Sequence, residues 1–255
     1  METGKLAGRT AIVTGSGRNI GRAIALAFAR EGANVVINGR SDRSAVDAVV
    51  AEIEAAGGQA LGVMADVGNA AAVASMVEQT IARFDGVDIA VSNVAVRKKQ
   101  PFLEISPEEW TSTLNSNLSS AFYLARNVIP SMRARGYGRL IHISGVDGFA
   151  AHLTDRAHNV VCKAGVHALA KALSLEFGAD GITANTVAPG HIDTERDWSQ
   201  YGPKDEWMAS RMKHIPVRKF GRVEDIAEAC VYLAGDSGTF VAGQVIHVNG
   251  GQYMF

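Results

Sequence analysis

Short apolar runs rich in β-branched residues alternate with longer helical stretches through almost the whole chain, and this alternation restricts the fold more than any other feature. Thr10 to Thr14 (TAIVT) reads as a buried strand, and Ile20 to Glu31 as a helix rich in Ala, Leu and Ile. Asn34 to Asn38 is the next strand, and the helix from Asp42 to Ala56 stops at Gly57-Gly58. Further strands are expected at Ala60 to Met64, Asp88 to Ser92, Arg139 to Ile143, Ile182 to Val187 and Gln244 to Val248. Helices are expected at Ala70–Phe84, Pro107–Arg135 and Asn159–Phe177. Continuous apolar strands separated by helices are the pattern of a parallel sheet covered on both faces. The expected fold class is therefore α/β: one Rossmann-type, doubly wound parallel sheet of about seven strands in a single domain, residues 1–255.

Composition narrows the function. A formal net charge of -1, with charges dispersed apart from Arg97-Lys98-Lys99, gives no footprint for nucleic acid. No apolar run approaches the ~20 residues of a membrane span, and the first residues carry no secretory h-region, so a cytoplasmic location is expected. Cys162 and Cys230 form no Cys-x-x-Cys pair and no zinc-ligand spacing; they read as buried thiols, and no metal site is expected. One long irregular stretch, residues 191–216, holds Trp198, Tyr201, Pro203 and Trp207 among charged residues and reads as a substrate loop or lid.

Thr14-Gly15-Ser16-Gly17-Arg18-Asn19-Ile20-Gly21 lies between the first strand and the first helix. Gly15 permits a tight turn. Gly17 and Gly21 let backbone approach a pyrophosphate and let helix pack on strand, while the helix N-terminus offers N–H groups and a positive dipole end. The position after a first strand makes this far more specific than a glycine-rich string alone. The second strand ends Asn38-Gly39-Arg40-Ser41, without the acid that would bind ribose hydroxyls. Arg40 can pair with a 2′-phosphate through its planar fork, with Arg18 on the other side, so NADP(H) is expected over NAD(H).

The turn resembles the Thr-Gly-x-x-x-Gly-x-Gly of the short-chain dehydrogenase/reductase family, with Asn19 in place of one glycine. Asp66-Val67 resembles the family's adenine-contacting pair. Asn93 matches the second Asn of its Asn-Asn-Ala-Gly, and Asn117 its helix Asn. Pro189-Gly190-His191-Ile192-Asp193-Thr194 resembles the Pro-Gly-x-x-x-Thr that closes over the nicotinamide, and Gly243 to Gly251 its C-terminal signature. The resemblance, to the 3-oxoacyl-carrier-protein-reductase type, spans about Gly8 to Gly251. It implies that Pro189, Gly190, Ile192 and Thr194 line the cofactor, that a small molecule is the substrate, and that the chain pairs into homodimers or homotetramers through its two long helices.

By the same resemblance, a Tyr-x-x-x-Lys pair and an upstream Ser carry the family's proton and hydride chemistry. Lys163 is present, but Asn159 stands where the Tyr belongs, and an amide has no proton to exchange near neutrality. Counting from Asn117 places Gly145 at the catalytic Ser position and Ser144 on the opposite face of the strand. Asn117 and Lys163 remain, with Asn159 as a possible carbonyl-orienting donor.

Three readings stay open: hydride transfer with another acid, reduction of an activated C=C or C=N bond that needs little acid, or a lyase, isomerase, dehydratase or silent NADP-binding protein. His158 is the first candidate acid, with Asp147 and His152 as partners and His191 as a substrate contact near the nicotinamide edge. Lys163 is a further candidate if burial lowers its pKa. His142, His167 and His247 read as packing or surface residues.

Overall fold

The computed structural model describes residues 4–151, 153–196, 198–200 and 202–255. Seven strands are found among them: β1 (Thr10–Val13), β2 (Asn34–Gly39), β3 (Gln59–Met64), β4 (Ile89–Ser92), β5 (Gly138–Ile143), β6 (Ile182–Pro189) and β7 (Val245–Val248). They pair in the order β3-β2-β1-β4-β5-β6-β7, every pairing parallel. The expected doubly wound sheet is therefore present, with its strand order reversing at β1 and β4. In such sheets ligands bind beyond the carboxyl ends of the strands at that reversal.

The central strands β1, β2 and β4 are mostly apolar because both of their faces are buried. Ala11 and Val13, Val35 and Ile37, Ile89 and Val91, and Ile141 and Ile143 face one core; Ile12, Val36, Ala90 and Leu140 face the other. This is the two-residue side-chain period of a strand with a helical layer on each side. On the first face lie α1 (Asn19–Arg30), α2 (Arg43–Ala55) and α8 (Val223–Ala234); on the second lie α3 (Ala70–Phe84) and α5 (Ser120–Arg135).

Three elements differ from the sequence expectation. The helix expected over Pro107–Arg135 is divided into α4 (Pro107–Leu114), a π turn at Asn115–Ser119, and α5. The widened turn accommodates Asn117, whose side chain leaves the helical surface to bond the loop after β4. The second difference is α8, which was not anticipated. Its start is fixed by Asp225, whose Oδ2 accepts from the Arg222 N–H at 2.7 Å, and its buried Ile226, Ala227, Cys230 and Val231 pack toward α1. The spacing of those residues and the acid in the first turn were the available signals. Third, the stretch 191–216 is not wholly irregular, since it contains α7 (Lys204–Met212). The remaining long helix, α6 (Ala157–Phe177), begins two residues earlier than expected.

Asp88, fully buried just before β4, ties the amino edge of the sheet together. It accepts from the Thr10 N–H at 2.9 Å, from Arg135 at 3.0 Å and from Arg9 at 3.4 Å. Asp88→Ala would leave a buried N–H without a partner and two half-solvated guanidinium groups without their anion. Urea unfolding should report a loss of about 2–3 kcal/mol, and a loss below about 0.5 kcal/mol would show that the carboxylate is replaceable.

Candidate active site

The phosphate turn is held from three strands. Gly15 adopts φ +60°, and its N–H donates to Asn38 Oδ1 at 3.2 Å. Asn93 at the end of β4 donates from Nδ2 to the carbonyls of Thr14 (3.0 Å) and Gly15 (3.2 Å), while its own N–H donates to Thr14 Oγ1 at 2.9 Å. Gly21 packs against the Gly15 carbonyl and the Asn93 amide so closely that no Cβ fits. Ser16 is fully buried, with its hydroxyl donating to the Val13 carbonyl at 2.6 Å and its N–H to the Asn38 carbonyl; both serve the turn. Arg18, the N-cap of α1, makes no side-chain cap, so the first amides of α1 are left without that partner. They are the groups that a phosphate would take.

Asn38 was overlooked in the sequence. Buried at the end of β2, it bonds Gly15 and the carbonyls of Val63 (3.3 Å) and Ala65 (3.1 Å). A polar residue closing an apolar strand was the one signal.

Arg40 and Ser41 are exposed beyond β2, as the NADP(H) reading requires. Arg40 lies 3.9 Å from Asp66, and both face a cleft of about 550 Å³ shared with Gly68, Asn115 and Ser116. Val67 is buried. Arg18 is also exposed, and its charge helps to hold the Asp42 carboxyl low, after the larger effects of the Ala45 N–H and the Ser44 hydroxyl.

At the other end, Asn117, Asn159 and Lys163 converge. Asn117 accepts from the Val96 N–H at 2.7 Å, donates to the Val96 carbonyl at 2.8 Å, and reaches Asn159 Oδ1 at 3.4 Å. Asn159 donates to the Lys98 carbonyl at 3.1 Å. Both amides thus grip the loop after β4. Lys163 is buried and its Nζ donates to the Ile143 carbonyl at 2.9 Å. Burial, reinforced by the positive charge of Arg97, lowers its pKa to about 7; Cys162 and Asp147 oppose this.

Gly145 has extended backbone, and a side chain there would meet open space, with the Pro189 carbonyl oxygen 4.0 Å away. Ser144 is turned from this space toward His167, its Oγ 2.5 Å from Nε2. Its hydroxyl thus points away from the space beside Gly145. His167 packs on Phe149, as does His247, and His142 is fully buried. Burial takes His142 and His167 down to about 4, so both are neutral.

His158 does not join the Asn117–Asn159–Lys163 group. Its ring is buried beside Glu109, Lys98 and Arg156; burial lowers its pKa, opposed by the Glu109 charge and by a hydrogen bond with the Lys98 backbone. His191 stacks on Phe220 and meets Trp207 edge-on, so it belongs to the aromatic cluster of the 191–216 segment. Ile192 pairs with Gly221 in a parallel bridge, and the Thr194 hydroxyl accepts from Arg196 at 3.0 Å. Pro189 and Gly190 close β6. His152 and Tyr201 lie outside the described residues.

Comparison with known proteins agrees with this geometry. A family model described as "Enoyl-(Acyl carrier protein) reductase" matches residues 15–252. The chain belongs to the short-chain dehydrogenase/reductase family. It is 34% identical to the 3-oxoacyl-[acyl-carrier-protein] reductase FabG of Staphylococcus epidermidis, covering 96% of this chain and 99% of that one. It is 38% identical to the (2S)-[(R)-hydroxy(phenyl)methyl]succinyl-CoA dehydrogenase subunit BbsD of Thauera aromatica, covering 97% of each. A putative NAD(P)-dependent gluconate 5-dehydrogenase from Beutenbergia cavernae, solved with bound NADP, superposes with a TM-score of 0.89 at 36% identity over 97% of each chain.

Lys163 supplies a test of the site's electrostatics. Its amine titrates near 10.5 when unfolded and near 7 when folded. Below about pH 7 both states carry the ammonium and the cost of burying it is present in full. Between the two values the unfolded chain binds the extra proton, so this group's contribution to stability rises with pH, by at most about 1.4 kcal/mol per pH unit. Urea unfolding of the ligand-free protein between about pH 7 and pH 9 should show that rise, and Lys163→Met should remove it. Parallel curves for the two proteins would mean that Lys163 is solvated.

Proposed function

We propose that the chain is an NADP(H)-dependent oxidoreductase that transfers hydride to or from a small or medium organic substrate, with Lys163 taking over the proton transfer. The observation that carries this reading is the convergence of the Gly15–Gly21 turn, Arg40 and Lys163 on the carboxyl edge of one sheet. The residues fit a phosphorylated dinucleotide: α1 opens without a side-chain cap, and Arg40 stands at the end of β2 where an NAD-selecting acid is absent. When bound, NADPH supplies the hydride.

Lys163 has the acidity that a general acid needs near neutral pH, and it lies beside the position vacated by the family tyrosine. Asn159 sits in that position, with its amide committed to Lys98 and Asn117, and so shapes the pocket. Gly145 leaves space that a larger substrate group can enter. The aromatic segment from His191 to Phe220, with Trp198 and Trp207 packed edge-on, closes the substrate end as a lid. Copies of the chain associate through α5 and α6, whose Phe122, Tyr123, Ala168 and Leu169 line an apolar groove together with Leu118 of the π turn.

Activity and binding measurements test this. Purified protein with NADPH, followed by loss of NADPH absorbance, should turn over a member of a panel of ketones, imines and activated enones. Saturable NADPH binding without turnover on any class would favour the silent or non-redox alternative, for which the missing tyrosine already speaks. With an active substrate in hand, reduction should fall as pH rises and the Lys163 ammonium is lost. Lys163→Met should lower kcat by about 100-fold or more. Separately, Arg40→Ala should weaken NADPH binding by about tenfold or more and leave NADH unchanged; equal losses for both would remove the 2′-phosphate assignment.

A further inference from the structure

We propose that Asn19 is a positioning residue that clasps the loop after β6 across the phosphate turn, so that a bound dinucleotide leaves only when the clasp opens. The inference rests on the dinucleotide reading above.

Asn19 has φ +51°, in the left-handed region that glycine favours and that Asn is among the few other residues to tolerate. Its place in the turn is thus open to glycine, and the turn itself does not need a side chain there. The Asn19 amide bonds nothing in the turn. Its Nδ2 donates to the Glu195 carbonyl at 3.2 Å, and the Glu195 N–H donates to its Oδ1 at 2.9 Å. One side chain therefore satisfies both backbone groups of a residue 176 positions away.

The same loop is fastened on its other side. The Asp193 N–H donates to the Gly221 carbonyl at 2.8 Å, and the Gly221 N–H to the His191 carbonyl at 3.0 Å. Arg196 donates to the Ile192 carbonyl at 2.9 Å and to the Thr194 hydroxyl at 3.0 Å. Residues 191–196 thus form a strap from the end of β6 to the entrance of α1, anchored at Gly221 and at Asn19, with Thr194 between the anchors. The Gly221 anchor is backbone to backbone and belongs to the fold. The Asn19 anchor depends on one exposed amide at the mouth of the phosphate turn, which makes it the end that can release.

Asn19→Gly is the direct test, since glycine accepts this backbone conformation without strain. In the ligand-free protein, hydrogen exchange of the Glu195 N–H should accelerate by about tenfold, with protection across β1 and β6 unchanged. Asn19→Asp, which keeps the acceptor for that N–H, should restore protection. In stopped-flow displacement of NADPH by excess NADP, Asn19→Gly should raise the dissociation rate by about tenfold, with a much smaller change in association. Unchanged exchange at Glu195 would overturn the clasp. Faster exchange with an unchanged NADPH dissociation rate would overturn its role in retention. If neither protein bound NADPH, the dinucleotide reading would fail, and retention with it, while the exchange data would still judge the clasp.

Discussion

The contact between Gly21 and the Gly15 carbonyl, sealed by the Asn93 amide, is the constraint on which the site depends. It brings the start of α1 directly against the end of β1, and no residue with a Cβ can do the same. Around it, Thr14, Asn38 and Asn93 convert the frayed carboxyl ends of β1, β2 and β4 into one hydrogen-bonded rim. The rim is polar but buried, so each of its bonds offsets a desolvation that would otherwise oppose folding. The apolar layers on both faces of the sheet provide the rigidity, and the rim turns it into a fixed set of backbone donors.

The other end of the site, around Asn117, Asn159 and Lys163, is organised differently. Two asparagines, one on the π turn and one on α6, share an amide contact and together hold the loop from Val96 to Lys98. Burial strips Lys163 of solvent beside them while Arg97 adds like charge, and the result is an amine that exchanges its proton near neutrality. It is this amine that the proposed proton transfer would use. Gly145 leaves open volume nearby, and Trp198, Trp207, His191 and Phe220 pack into one aromatic cluster after β6.

Much of this was legible in the sequence, for identifiable reasons. Short β-branched runs alternating with helical stretches let the seven strands be read from the pattern, and Gly15 and Gly21 mark the turn, with no room for a Cβ at Gly21. What escaped notice depends on contacts between distant segments. Asn38 looks like any polar strand end until Gly15 is placed beside it, and Asn19 looks like a lost glycine until Glu195 arrives from 176 residues away. The π turn at Asn115–Ser119 follows from the pull of Val96 on Asn117, which no local propensity records. His158 drew attention by standing next to Asn159, but neighbours on a helix point about 100° apart, and the charges acting on its ring are those of Glu109, Lys98 and Arg156.

All of the chemistry proposed for this chain requires that a dinucleotide settle on the amides that open α1. Calorimetric titration of NADPH into the ligand-free protein, with cooperative thermal unfolding recorded on the same sample, tests that most directly. A saturable heat with one site per chain is the predicted result. A cooperatively folding sample that gives no binding heat with either NADPH or NADH, at more than one temperature, would contradict it.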